Sequence, residues 1–90
     1  MTPEMVLDVV IRVTEKKTHR QGITGDTTFD EDLHIDEKGR RAFLSPVSDE
    51  IRLHGCRVTG LAAADLEDAK TVGEMSDLFA AHLEPGGAEA

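Results

Sequence analysis

Aromatic side chains are scarce in this chain of 90 residues. It has no tryptophan or tyrosine and only three phenylalanines, Phe29, Phe43 and Phe79. A hydrophobic core built from this sequence must therefore be mostly aliphatic. The same scarcity removes the flat rings on which the bases of single-stranded nucleic acids stack.

Cysteine and basic residues are also few. Cys56 is the single cysteine, so the chain can form no internal disulfide and suits a reducing compartment. Ten Lys and Arg against 18 Asp and Glu give a net charge of −8, which argues against nucleic acids and anionic membranes and favours basic partners. Asp8 and Arg12 interrupt the N-terminal apolar residues, so we predict neither a signal peptide nor a membrane span. We expect a cytoplasmic monomer.

The length is that of one domain with a modest core. We expect this domain to cover residues 1–83. The last seven residues, Glu84–Ala90, have the sequence EPGGAEA and offer no apolar anchor beyond alanine. Residues 84–90 are therefore predicted to form a disordered C-terminal tail.

The first third of the chain predicts a helix and then a long loop. Thr2 and Pro3 suit the N-cap and the first helical position, and four valines follow at helical spacing. Because these residues are β-branched, a strand over residues 6–13 is the alternative. The helix should end near Gly22. Residues 22–35 lack periodicity and predict a loop held by four apolar anchors, Ile23, Phe29, Leu33 and Ile35.

A second helix should run from Asp36, a good N-cap, toward Leu53. Gly39 and Pro46 weaken it, because glycine lowers helix propensity and proline lacks a backbone donor. The helix should therefore kink near residues 42–45, or stop there and restart with Ser45 as N-cap and Pro46 as first residue. We favour a break or a sharp kink.

The last third predicts a loop, a short helix and a final helix. Gly55 and Gly60 bracket the loop, and residues 62–69 suit a short helix around Leu66. Thr71 and Glu74 form a capping box that opens the last helix. The predicted fold is all-α, a four-helix bundle with a short third helix and a long loop between the first two helices.

This arrangement resembles the acyl carrier protein and peptidyl carrier protein family over roughly residues 3–83. Residues 33–38 (LHIDEK) fall in register with that family's L-G-x-D-S-L pattern, after an acidic segment at residues 28–32. Residues 70–75 (KTVGEM) resemble the family's T-V-G entry to its last helix. The resemblance implies a four-helix carrier fold that holds acyl or aminoacyl groups on a 4′-phosphopantetheine arm.

The chain departs from the family at the residue that carries the arm. The family attaches phosphopantetheine to a serine after the aspartate, whereas here Glu37 follows Asp36. We therefore expect no cofactor at the motif position and no catalytic residues. The segment that follows is several residues longer than usual, and the second helix contains Pro46 and begins with basic residues.

These departures predict a carrier-like domain that acts by protein contact. Its partners would be acyl- or peptide-assembly enzymes of a fatty-acid, polyketide or nonribosomal-peptide system. The contact surface would be the start of the second helix, with Phe43 and Leu44 beneath it. The predicted partner-binding residues are Asp36, Glu37, Lys38, Arg40 and Arg41.

Three alternatives compete with this prediction. Ser45 or Ser48 would be the attachment residue of an active carrier, although neither directly follows an aspartate. A small enzyme is disfavoured because the sequence shows no nucleophile with a matching base. No metal site is expected, since the acidic residues from Asp30 fail the calcium-loop pattern and the pair His54 and Cys56 falls short of a zinc ligand set.

Overall fold

The computed structural model describes residues 1–85, and side chains through residue 84. In chain order the elements are α1 (Pro3–Thr18), α2 (Glu37–Arg41), α3 (Leu44–Leu53), β1 (Cys56–Val58), a 3₁₀ helix (Ala63–Asp68), α4 (Val72–Ala81) and β2 (Leu83–Pro85). None of these helices combines the length and the apolar character needed to cross a bilayer.

The first helix forms as the caps and the valines predict. The Thr2 hydroxyl accepts a hydrogen bond from the Met5 backbone N–H at 3.3 Å, and Pro3 stands in the first turn. The alternative of a strand over residues 6–13 is therefore wrong. The helix ends at Thr18, earlier than expected, because His19 already takes the left-handed conformation that stops it (φ 56°).

The predicted second helix is two helices. Its break lies at Ala42 and Phe43, between α2 and α3, and Phe43 rather than Ser45 occupies the N-cap position of α3. Pro46 is the third residue of α3, where a backbone donor has no partner within the helix. The first helical bond of α3 runs from the Val47 N–H to the Phe43 carbonyl at 3.1 Å. The break predicted near residues 42–45 is confirmed, whereas the predicted N-cap Ser45 and first residue Pro46 are wrong.

A two-stranded antiparallel sheet makes the prediction of an all-α four-helix bundle wrong. In it β1 pairs with β2, with Arg57 opposite Glu84. The Thr59 hydroxyl also bonds the Glu84 carboxylate at 3.0 Å. The loop predicted between Gly55 and Gly60 thus contains a strand. The other strand, β2, takes in residues 84 and 85 of the predicted tail, and residues 86–90 lie outside the described part of the chain.

The core runs between α1, α3, α4 and the 3₁₀ helix. All four valines of α1 are buried, and the short helix predicted around Leu66 is present as the 3₁₀ helix. Three of the four predicted loop anchors are buried and Ile35 is half-buried. The buried apolar residues are Val6, Val9, Val10, Val13, Ile23, Phe29, Leu33, Phe43, Val47, Ile51, Leu61, Leu66, Ala69, Val72, Met75 and Phe79.

The long loop is fastened to the entry of α4 by backbone hydrogen bonds. The Phe29 N–H donates to the Lys70 carbonyl at 3.0 Å, and the Gly73 N–H donates to the Gly25 carbonyl at 2.9 Å. Between these bonds Thr28 and Thr71 form an isolated antiparallel bridge. A Cβ atom on Gly73 would lie 3.0 Å from the Gly25 carbonyl oxygen, so the glycine permits this close approach. The loop is therefore an ordered part of the fold.

Within the loop, two hydrogen bonds join Thr28 and Asp32. The Thr28 N–H donates to the Asp32 carboxylate at 2.9 Å, and the Asp32 N–H donates to the Thr28 hydroxyl at 3.1 Å. The hydrogen bond from the Thr28 N–H, and after it the interaction of the carboxylate with the Thr28 side chain, lower the pKa of the Asp32 carboxyl group. A carboxyl whose pKa is lower in the folded state stabilises the fold above its unfolded pKa, and this contribution disappears as the pH falls through the folded pKa.

We therefore expect Asp32→Asn to flatten the acid side of the stability profile. Between about pH 5 and about pH 2 its free energy of unfolding should fall less steeply than that of the wild type. Thr28→Val removes the hydroxyl and keeps the larger backbone contribution, so its slope should be intermediate. Urea unfolding followed by circular dichroism at several pH values measures this. An unchanged slope in Asp32→Asn would contradict the assignment.

Candidate functional site

The entrance to α2 has the cap that the sequence predicts. Asp36 is the N-cap, and its carboxylate accepts a hydrogen bond from the Gly39 N–H at 2.9 Å. Glu37 is the first residue of the helix and is exposed, as is Lys38. These three neighbouring side chains give the entrance an exposed surface of mixed charge.

The helix that follows this entrance is only five residues long. Few peptide dipoles are aligned in it, so it favours an anion at its start less than the predicted long helix would. Gly39 is explained by packing, since a Cβ atom there would lie 2.6 Å from the Ile35 Cγ2 atom. The glycine that weakens the helix therefore lets the preceding loop pack against it.

Arg40, predicted on the partner-binding surface, is buried. Only 6 % of its surface is exposed. Its guanidinium donates hydrogen bonds to the loop before α2 and to the end of the 3₁₀ helix. Nε and Nη2 donate to the Glu67 carbonyl at 3.1 and 2.7 Å. Nη1 donates to the Ile35 carbonyl and to the Asp30 carboxylate, both at 3.1 Å. Arg40 thus links α2 to the long loop and to the 3₁₀ helix. The prediction that it belongs to an exposed docking surface is wrong.

A guanidinium can be buried when its donors find acceptors in its own plane, which a lysine ammonium cannot imitate. The sequence does contain one signal for this burial. Arg40 lies three residues before Phe43, which lies four before Val47, so helical spacing extends the buried stripe back to the arginine. The positive charge of Arg40, taken alone, predicts a position on the surface.

The other predicted surface residues stay accessible. Arg41 is exposed and pairs with the Glu67 carboxylate at 3.2 Å, which leaves Lys38 as the cation beside Glu37 without a paired carboxylate among residues 1–84. Phe43 is fully buried and Leu44 is half-buried, as expected for residues beneath the surface. The accessible part of the predicted set is therefore Asp36, Glu37, Lys38 and Arg41.

The two alternative attachment serines lie on α3. Ser45 is its second residue and is exposed, whereas Ser48 is half-buried. Neither caps the helix, because Phe43 takes that position. Ser45 is the more accessible hydroxyl of the two.

An acidic cleft between the 3₁₀ helix and α4 was missed by the sequence analysis. The cavity measures about 480 Å³ and is lined by Asp65, Asp68, Ala69, Glu74, Asp77, Leu78 and His82. Two of these carboxylates serve the backbone: Asp65 accepts from the Ala62 N–H and Glu74 from the Lys70 N–H, both at 2.9 Å. In the described part of the chain, no group of three or more His, Cys, Asp or Glu side chains is arranged to hold a metal ion.

No family model, curated protein or solved structure matches this chain.

Proposed function

We propose that this chain is a carrier-protein-like domain that acts by protein contact and bears no phosphopantetheine at residue 37. The observation that supports this best is the pairing of the two segments that carry the resemblance. Residues 28–32 and residues 70–75 are distant in sequence, and the bridge between Thr28 and Thr71 joins them. The loop so fastened leads to the capped entrance of α2, where the attachment serine of a carrier would stand.

The chemistry at that entrance supports a role without the arm. Transfer of phosphopantetheine needs a hydroxyl oxygen that attacks the phosphate of coenzyme A, and Glu37 offers a carboxylate instead. Its exposure leaves the charge in water, where it is available to a partner protein. Under this proposal the domain has no catalytic residues and no cofactor.

The docking surface of this proposal is the entrance to α2. It consists of Asp36, Glu37, Lys38 and Arg41, which present both signs of charge. Since charge complementarity governs encounter and specificity, the partner enzyme should present a mixed surface rather than a uniformly basic one. We propose acyl- or peptide-assembly enzymes as the partners and a cytoplasmic monomer as the working form.

Loading with phosphopantetheine tests the proposal. The purified protein is incubated with coenzyme A and a broad-specificity phosphopantetheinyl transferase, and its intact mass is measured. We expect no adduct on the wild type and one phosphopantetheine group on Glu37→Ser, because that variant restores the hydroxyl after Asp36. Lys38→Ser is the matched control and should stay unmodified, since its serine stands one residue too late.

Two outcomes would contradict the proposal. An adduct on the wild type that is lost in Ser45→Ala or Ser48→Ala would establish the alternative, an active carrier with a non-standard attachment serine. Failure of Glu37→Ser to accept the group from several transferases would remove the support given by the register of residues 33–38.

A further inference from the structure

The acidic cleft between the 3₁₀ helix and α4 is a groove with two helical walls. The 3₁₀ helix contributes Asp65 and Asp68 to one wall, and α4 contributes Glu74 and Asp77 to the other. In each wall the two carboxylates stand three residues apart, the spacing that places side chains on one face of a helix. The groove, which measures about 480 Å³, therefore carries negative charge on both sides.

Most of the surface exposed inside the cleft is apolar. Leu78 follows Asp77 on α4 and is half-buried, so part of its side chain stays accessible. The His82 ring beside it is also half-buried, with Nδ1 2.9 Å from the Leu78 carbonyl oxygen. A side chain laid along the groove would cover this apolar surface, and the removal of that surface from water favours binding.

Within residues 1–84, no ion pair compensates the carboxylates of the cleft. No lysine or arginine of this described part of the chain lines the groove. Lys70 is the nearest such residue in sequence, but it is exposed, and the group that donates to the Glu74 carboxylate is its backbone N–H, at 2.9 Å. The cleft therefore attracts a cation from another molecule.

Two of the four carboxylates are already held in position. The Asp65 carboxylate accepts the Ala62 N–H, and the Glu74 carboxylate accepts the Lys70 N–H. A carboxylate has about four acceptor positions, so both can accept further hydrogen bonds from a ligand. A group that is already positioned loses less side-chain entropy when it binds.

We propose that the acidic cleft is a docking site for a partner protein that inserts an arginine side chain. The aliphatic stem of the arginine covers Leu78, and its guanidinium donates to carboxylates of both walls. Arginine suits the cleft better than lysine, because a guanidinium is planar and weakly hydrated whereas an ammonium is compact and strongly hydrated. The net charge of −8 draws a basic partner toward the chain. This docking site is separate from the entrance to α2 and does not depend on the carrier-like function.

An NMR titration of the ¹⁵N-labelled full chain with short blocked peptides tests this docking site. The probe is acetyl-Gly-Arg-Gly-amide. Acetyl-Gly-citrulline-Gly-amide has nearly the same shape without the charge, and acetyl-Gly-Lys-Gly-amide has the charge without the planar group. We expect the arginine peptide to shift the amide signals of Ala69, Asp77 and Leu78, and the other two peptides to bind more weakly. Asp68→Asn and Asp77→Asn should each weaken binding of the arginine peptide by about two- to fivefold, the range for exposed ion pairs.

Asp49→Asn is the matched control for these two substitutions. Asp49 is an exposed aspartate of α3 that does not line the cleft, and its substitution removes the same charge. This variant should bind the arginine peptide as the wild type does. An unchanged unfolding midpoint in all three variants shows that the fold is intact.

Several results would overturn the proposal. One is the absence of any shift at about 10 mM arginine peptide, and another is binding of the citrulline or the lysine peptide as tight as that of the arginine peptide. Equal weakening by Asp49→Asn and Asp68→Asn would attribute the binding to net charge alone. Tighter binding of putrescine than of the arginine peptide would assign the cleft to a small diamine.

Discussion

Arg40→Met is expected to lower the free energy of unfolding by about 2 to 4 kcal/mol. Methionine can fill the space of the arginine stem but supplies no donors. The Glu67 carbonyl then loses bonds of 2.7 and 3.1 Å, and the Ile35 carbonyl loses one of 3.1 Å. These bonds are partly buried, so the carbonyls would lose hydrogen-bond partners that water replaces only in part. Urea unfolding followed by circular dichroism measures the loss.

Arg41→Met is the control for this substitution. Arg41 is the next residue of α2, and its ion pair with Glu67 joins side chains that are 50 % and 30 % exposed. An exposed pair contributes at most about 1 kcal/mol, so this variant should lie close to the wild type. Arg40→Lys should also be less stable than the wild type. One ammonium cannot reach both carbonyls and the Asp30 carboxylate, as the planar guanidinium does. Equal stability of Arg40→Met and Arg41→Met would show that Arg40 has no special structural role.

Phe29→Ala is the second large effect, with an expected loss of about 3 to 5 kcal/mol. Phe29 is fully buried and packs edge-on against Phe43, with ring centroids 5.5 Å apart. Its backbone also bonds Lys70 and Ile35, at 3.0 and 2.7 Å. The substitution removes the side chain that holds the long loop against the core. Small domains have a total stability of only about 5 to 15 kcal/mol, so much of it would be lost.

Phe29→Leu is the milder substitution, to be used if Phe29→Ala does not fold. It should lower the free energy of unfolding by about 1 to 2 kcal/mol. Leu53→Ala is the control for removing an apolar side chain, since Leu53 is 81 % exposed and should change stability by less than about 0.5 kcal/mol. The thermal midpoint of each variant ranks them. If Phe29→Ala unfolds at the wild-type midpoint, the loop is not held by this side chain.

The helices that the sequence predicts correctly are those with local signals. Thr2, Asp36 and Thr71 each cap the helix they were expected to cap. The buried faces of α1 and α4 follow from apolar residues at helical spacing, a pattern that needs no knowledge of what packs against it. The loop anchors follow from a different signal, the apolar character of single residues in a polar segment without periodicity.

The features that the sequence did not reveal depend on distant parts of the chain. Strands of three residues are too short to show an alternating pattern, and the partner of Arg57 is Glu84. The burial of Arg40 depends on acceptors supplied by Ile35, Asp30 and Glu67. The composition of the chain does not indicate which residues will supply these acceptors. At the candidate site, the sequence predicts that Glu37 and Lys38 are exposed, whereas the acidic cleft forms only where the 3₁₀ helix meets α4.

The fastening of the long loop to the entry of α4 has a consequence for the order of folding. The bonds from Gly25 and Phe29 to Gly73 and Lys70 close a chain segment that contains α2, α3, β1 and the 3₁₀ helix. Closing a segment of this length costs entropy that the bonds themselves do not repay until the enclosed elements have packed. The loop should therefore become ordered late, after the α4 entry is in place. The surface at the start of α2, which the loop positions, is completed only when the rest of the domain has folded.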